Sequence, residues 1–211
     1  MNFHVITIFP ESLDSYVSAS ILGRAIKNKK INIKAINPRD FSKEKHKKVD
    51  DRPYGGGPGM VMQIAPILSA VNKASANKKN AKIIIFSASG KQFSNDLARK
   101  WAQKHKDIIM VCGRYEGTDA RLTKILKAEE ISVGPYILTG GELPALVVMD
   151  SVSRQISGVL GKSESLEESR ISTSEVYTRP EIFVYKKKKY KVPKVLLSGD
   201  QKKIEEWKKT R

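Results

Sequence analysis

Short apolar runs rich in β-branched residues recur along the chain, at Val5 to Phe9, Ile31 to Ile36, Ile83 to Phe86, Ile108 to Val111 and Ile131 to Val133. Runs of this length bounded by turn-forming or charged residues predict β-strands. Between them, Leu13 to Lys27, Ala65 to Asn77, Phe93 to His105 and Ala120 to Lys127 repeat their apolar positions every three to four residues, which predicts amphipathic helices. Strands alternating with helices give an α/β fold built on a mostly parallel sheet. A further helix is expected to start near Glu142. Its Ala145, Val148, Met149, Val152, Ile156 and Val159 gather on one face, with Arg154 opposite.

That patterning fails after Gly161, where KSESLEESRISTSE offers one Leu and one Ile among polar residues and reads as a mobile linker. The expected organisation is a sheet domain over 1–160, a linker over 161–177 and a small basic C-terminal domain over 178–211. The last segment holds twelve basic against four acidic residues, nearly half of the surplus in a chain of net charge +17. A surplus this large points to a polyanionic partner, nucleic acid before an anionic membrane surface. With 40% hydrophobic residues, disorder of the whole chain is excluded. The single cysteine, Cys112, sits in the apolar string IIMVCG, so an internal disulfide and a CxxC metal site are excluded and a core position is expected. No run approaches the ~18 apolar residues of a membrane span, and the N-terminus reads as strand and turn. A cytoplasmic protein is expected.

Four segments place glycine beside polar groups. RPYGGGPGM (52–60) is neither a Walker loop nor a dinucleotide fingerprint, and a tight structural turn and a ligand-contacting loop are equally open for it. FSASG (86–90), CGRYEG (112–117) and SVGPYILTGGELP (132–144) each fall where a strand ends and a helix begins, the place where open α/β sheets bind ligands. Together they predict a pocket walled by backbone, suited to a neutral heterocycle such as adenine. Without a phosphate loop, a nucleoside cofactor lacking phosphates fits better than ATP or NAD. Composition explains Arg154 as an ion pair with Asp150, and the linker acids Glu164, Glu167 and Glu168 as solvated charge. The histidines His4, His46 and His105 have no ligand spacing and are expected at surface or edge positions. The serines lack a GxSxG context.

Taken together, these segments resemble the bacterial tRNA (guanine-N1)-methyltransferases, the TrmD family of the SPOUT class. The strings that carry the resemblance are IFPE (8–11), GRAIKN (23–28), NPRDF (37–41), VDDRPYGGGPGM (49–60), VCGRYEGTDAR (111–121), SVGPYILTGGELPA (132–145), DSVSRQISGVLG (150–161), YTRPE (177–181) and VLLSGD (195–200). They follow the family order across almost the whole chain.

The resemblance implies a SPOUT-type sheet domain with a C-terminal trefoil knot, followed by a shortened helical C-terminal domain. It also implies a homodimer with its active site at the subunit interface, tRNA as partner, S-adenosylmethionine as cofactor and a place for Mg2+ as assistant. The reaction implied is methylation of N1 of the guanosine 3′ to the anticodon, position 37. Carried over segment by segment, the cofactor residues are Phe86, Ser87, Ala88, Gly113, Tyr115, Glu116, Ser132, Val133, Gly134, Tyr136, Ile137, Leu138, Gly140 and Gly141. Arg154, in the SVSR string, would stabilise the guanine. The family's aspartate base appears here as Glu168, with Glu167 as the fallback, and Pro135 stands where many members carry an acidic residue. Alternatives are a SPOUT methyltransferase acting on another RNA position, or a basic RNA-binding homologue whose chemistry has lapsed.

Overall fold

The computed structural model describes residues 1–160 and 175–210. The chain divides into two units, Met1–Gly161 and Lys162–Arg211. In chain order the first unit holds β1 (Asn2–Ile6), a 3-10 turn (Pro10–Leu13), α1 (Asp14–Val17), α2 (Ser20–Lys27), β2 (Asn32–Ile36), a second 3-10 turn (Pro38–Phe41), β3 (Asp50–Asp51), β4 (Val61–Met62), α3 (Ile64–Ser75), β5 (Lys82–Gln92), α4 (Asn95–Lys104), β6 (Asp107–Val111), α5 (Arg121–Leu126), β7 (Glu129–Ser132) and α6 (Glu142–Arg154).

Five strands form one parallel sheet in the order β2-β1-β6-β5-β7. Because side chains alternate across a strand, each central strand feeds two cores. Phe3, Val5, Ile84, Ile108 and Met110 pack with Leu22 of α2, Trp101 of α4 and Val148, Met149 and Val152 of α6. Ile6, Ile85, Ile109 and Val111 pack with Ile67, Ala70 and Val71 of α3 and Leu122 of α5. Cys112 is fully buried in the first of these cores, as its apolar context predicts. Among the described residues no helix is long and apolar enough to cross a membrane.

Four local expectations are corrected. β1 begins at Asn2, not Val5, because Asp107 on β6 accepts from Asn2 Nδ2 at 3.1 Å and meets His4 Nε2 at 3.0 Å, which makes polar residues tolerable inside the sheet. His4 is therefore buried, not at the surface or an edge. The helix expected over Leu13 to Lys27 breaks between α1 and α2, where Ser20 adopts φ +48°. The chain crosses so closely there that a Cβ on Gly23 would lie 2.2 Å from the Ser18 carbonyl oxygen. Finally, α6 stops at Arg154, so Ile156 and Val159 reach the core from the turns that follow rather than from the helix.

In the second unit, β8 (Ile182–Tyr185) and β9 (Lys188–Lys191) form an antiparallel hairpin, followed by α7 (Lys194–Leu197) and α8 (Gln201–Lys209). The helical expectation thus holds for its second half only. Alternating β-branched and aromatic residues in IFVY favour a strand over a helix. α8 is capped by Asp200, which accepts from Lys203 N at 3.2 Å.

Candidate active site

The site grows from the carboxyl ends of β5, β6 and β7. On β5 the pairing with β7 shifts: Phe86 and Lys91 both face Ile131, so Ser87 to Gly90 bulge out of the ladder. The expected FSASG loop is this bulge within one long strand. Gly90 is needed at its base, since a Cβ there would come 2.6 Å from the Glu130 carbonyl carbon and the Ile131 nitrogen. After β7, Gly134 N donates to Ser132 Oγ, which donates back to the Gly134 carbonyl at 2.9 Å, and the Tyr136 hydroxyl reaches the Val133 carbonyl at 3.3 Å. These bonds, with the fixed φ of Pro135, curl the chain into a wall.

The third wall follows β6 and is clamped to the segment entering α6. Gly141 N donates to the Gly113 carbonyl at 3.0 Å, and a Cβ on Gly141 would lie 2.5 Å from Cys112 Cα. Above this contact, Arg114 grips the buried Glu142 carboxylate through Nε at 2.9 Å and Nη2 at 2.8 Å, while Nη1 reaches the Thr139 carbonyl at 3.3 Å. The Thr7 hydroxyl, just beyond β1, donates to the other Glu142 oxygen at 2.6 Å. The Arg114 guanidinium also lies over the Phe9 ring, 4.7 Å from its centre. Burial pushes the Cys112 thiol well up, and Glu142 raises it further against the opposing charge of Arg114. Cys112 therefore stays a neutral thiol beneath the site and is no nucleophile.

These walls enclose a cavity of about 440 Å³, within the range of small-molecule and cofactor sites. All fourteen residues expected around a cofactor, from Phe86 to Gly141, line it. So do Thr123 and Glu130, which the sequence reading missed. They sit on α5 and β7, and no local motif marks them, because only sheet order brings them to the rim. Glu130 Oε1 accepts from the Thr123 hydroxyl at 2.8 Å. Among the described residues lining the cavity, Glu116 and Glu130 are acidic and none is Lys or Arg. The keystone pair Arg114 and Glu142 was also passed over, although both lie inside quoted motifs.

RPYGGGPGM adjoins this rim. Glu116 N donates to the Met60 carbonyl and Met62 N to the Gly117 carbonyl, each at 2.9 Å. A Cβ on Gly59 would strike the Glu116 carboxylate at 2.5 Å. Gly55, Gly56 and Gly57 all take positive φ. Arg154 ends α6 and is partly exposed, while Asp150 accepts from the Tyr16 hydroxyl at 2.7 Å. Glu164, Glu167 and Glu168 lie outside the described residues. Among the described residues no three His, Cys, Asp or Glu side chains gather where a metal could be held.

A family model, tRNA (Guanine-1)-methyltransferase TrmD, matches residues 1–211. This chain belongs to that family. The tRNA (guanine-N(1)-)-methyltransferase of Clostridioides difficile is 45% identical over 99% of the chain and 91% of its own length. Its counterpart in Buchnera aphidicola from Acyrthosiphon pisum is 46% identical over 97% of the chain and 86% of its own length. Among solved structures, the tRNA (m1G37) methyltransferase from Aquifex aeolicus superposes with a TM-score of 0.81 at 39% identity, covering 100% of this chain and 88% of that one. This TrmD-family chain carries a parallel sheet with glycine-bearing segments at the carboxyl ends of three of its strands.

Proposed function

We propose that this chain transfers a methyl group from S-adenosylmethionine to N1 of guanosine 37, immediately 3′ of the tRNA anticodon. The observation that carries the reading is a cavity lined, among the described residues, by two carboxylates and by no cationic side chain, in a protein of net charge +17. Such a lining repels phosphates and favours a ligand with positive charge of its own. The cofactor carries a sulfonium and an ammonium, and its adenine meets the backbone N–H and C=O groups of the glycine-bearing loops. The pocket residues would be Phe86, Ser87, Ala88, Gly113, Tyr115, Glu116, Ser132 to Gly134, Tyr136 to Leu138, Gly140 and Gly141.

When bound, S-adenosylmethionine supplies a methyl group already activated by its sulfonium. The protein's task is to prepare the nitrogen. Guanine N1 holds its proton at neutral pH, so a carboxylate must accept it as the N–C bond forms. Glu168, or Glu167 in its place, takes that proton. The electron density displaced onto O6 is met by the Arg154 guanidinium. The described residues gather no ligand set for the Mg2+ ion that the resemblance implies, and no step is assigned to it.

The same reading makes the enzyme a homodimer with its active site at the subunit interface, and gives the first unit the family's trefoil knot. The close passage of residues 139–141 over 112–114 supports the knot. For the dimer, two observations speak. Leu143 and Val147 leave an exposed apolar stripe on α6, continued by Phe9 and Tyr16. Arg154 lies twelve residues beyond Glu142, about 18 Å along the helix at 1.5 Å per residue, and is absent from the cavity lining. A second copy seated on the stripe would bring its own Arg154 to the pocket. The test is Arg154→Ala. It should abolish methyl transfer while calorimetry with S-adenosylmethionine still shows binding, and retained turnover would overturn the assignment.

A further inference from the structure

The C-terminal hairpin carries an arrangement of rings that the methyl-transfer chemistry leaves unused. Pairing Phe183 with Tyr190 and Tyr185 with Lys188 places these four residues on one face of the ribbon. Ile182, Val184, Lys189 and Lys191 share the other. Phe183, Tyr185 and Tyr190 are 58%, 55% and 49% exposed, so three aromatic rings stand open on a two-stranded element whose eight described residues are all exposed. The lysines frame these rings. Lys186 Nζ lies 5.5 Å from the centre of the Tyr185 ring, and Lys188 Nζ 5.4 Å from that of Tyr190.

The turn strengthens the case. Its central residues, Lys186 and Lys187, adopt φ +45° and +64°, a conformation that two-residue hairpins normally give to Asn-Gly. Placing lysines there sets backbone comfort against charge at the tip, and an outlier of this kind argues for use. Flat rings interleaved with cations match unpaired nucleotides, whose bases offer π-faces and whose backbone offers phosphates. A paired helix would engage the lysines only.

We propose that the hairpin Ile182–Lys191 is a platform for unpaired bases of the RNA substrate, with its rings stacked on bases of the loop and its lysines on the flanking phosphates. The proposal rests on the reading of the chain as a tRNA methyltransferase for the identity of that RNA. It assigns the hairpin the discrimination between loop and stem, which charge alone does not supply.

The test uses the full chain and two RNAs, a tRNA anticodon stem-loop and a blunt duplex of the same stem. The triple variant Phe183→Leu, Tyr185→Leu, Tyr190→Leu should bind the stem-loop at least ~10-fold more weakly, with duplex binding and the slope of log Kd against log salt unchanged. Replacing Lys186 to Lys189 with Ser should weaken both RNAs and reduce the slope by roughly 3. Circular dichroism and S-adenosylmethionine calorimetry check that the variants fold. The platform is overturned if the leucine variant binds the stem-loop like the wild type, or loses both RNAs equally. Half the solution mass, or ring-dependent binding to phosphatidylserine vesicles with RNA binding intact, would overturn it as well. Formation of 1-methylguanosine by the unaltered chain is followed in parallel. Its absence would sink the proposed function, whereas its presence beside unchanged leucine-variant binding would sink the platform alone.

Discussion

Arg114 and Glu142 join two walls of the pocket through two contacts to one carboxylate oxygen, from Nε at 2.9 Å and Nη2 at 2.8 Å, with the carboxylate almost completely buried. Each partner is held elsewhere too, Glu142 by Thr7 and Arg114 by the Thr139 carbonyl. Removing the carboxylate leaves the Arg114 guanidinium, 24% exposed, without its partner, at a cost of about 1–3 kcal/mol. Glu142→Ala is accordingly expected to lower the urea midpoint by that equivalent and to weaken S-adenosylmethionine binding. Glu142→Gln, which keeps an oxygen to accept from Arg114 and fills the same volume, should lose less than Glu142→Ala. Equal stability of Glu142→Ala and the unaltered chain would show that the clamp carries no weight.

Gly141 tests the contact beneath that clamp. An added methyl would lie 2.5 Å from backbone, at Cys112 Cα, so the two segments must part. Gly141→Ala should destabilise by roughly 1–3 kcal/mol, the usual range for overpacking, and reduce cofactor affinity measured by calorimetry. Gly55→Ala, with nothing within 4 Å of its Cβ but φ at +86°, should cost only the backbone strain of about 1–2 kcal/mol and leave cofactor affinity intact.

Stability towards acid should depend on Glu129. Burial alone would raise its carboxyl, but the Lys82 hydrogen bond and charge, with Lys91 adding to them, outweigh burial and hold it below its ordinary value of 4.5. A depressed carboxylate stabilises the fold fully above that ordinary value, and the contribution is lost as pH falls through the lower folded one. Lys82→Met should therefore be less stable than the unaltered chain at neutral pH, with the gap closing as pH falls below about 4.5. Urea unfolding at a series of pH values measures it. A gap that stays constant down to acid pH would show that this pair does not set the acid limb.

The proton acceptor is decided by comparing Glu168→Gln with Glu167→Gln in a single-turnover methyl-transfer assay. Removing the base should lower the rate by about 10²–10⁴-fold, and only one of the two variants should show that loss. Full activity in both would move the role to another group.

Much of the fold was legible because the sheet is buried on both faces. Continuous apolar runs such as IIMVC announce strands without help from tertiary context, and the glycine-bearing strings after them mark the carboxyl edge where the pocket forms. What could not be read locally is what distant residues decide. Asp107 makes Asn2 and His4 compatible with a strand, and sheet order alone brings Thr123 and Glu130 to the rim. A glutamate in the GGELP string gives no sign that Thr7 and Arg114 wait for it some 135 and 28 residues away. The C-terminal hairpin was missed for another reason: its lysine-rich strand looks like solvated charge until its register with IFVY is known.

Nucleoside analysis of tRNA after incubation with the purified chain and S-adenosylmethionine reads out the reaction itself. The expected product is 1-methylguanosine, located at position 37 and lost when that guanosine is replaced. Methylation at a different atom or a different position, or no methylated nucleoside while both ligands still bind, would contradict it.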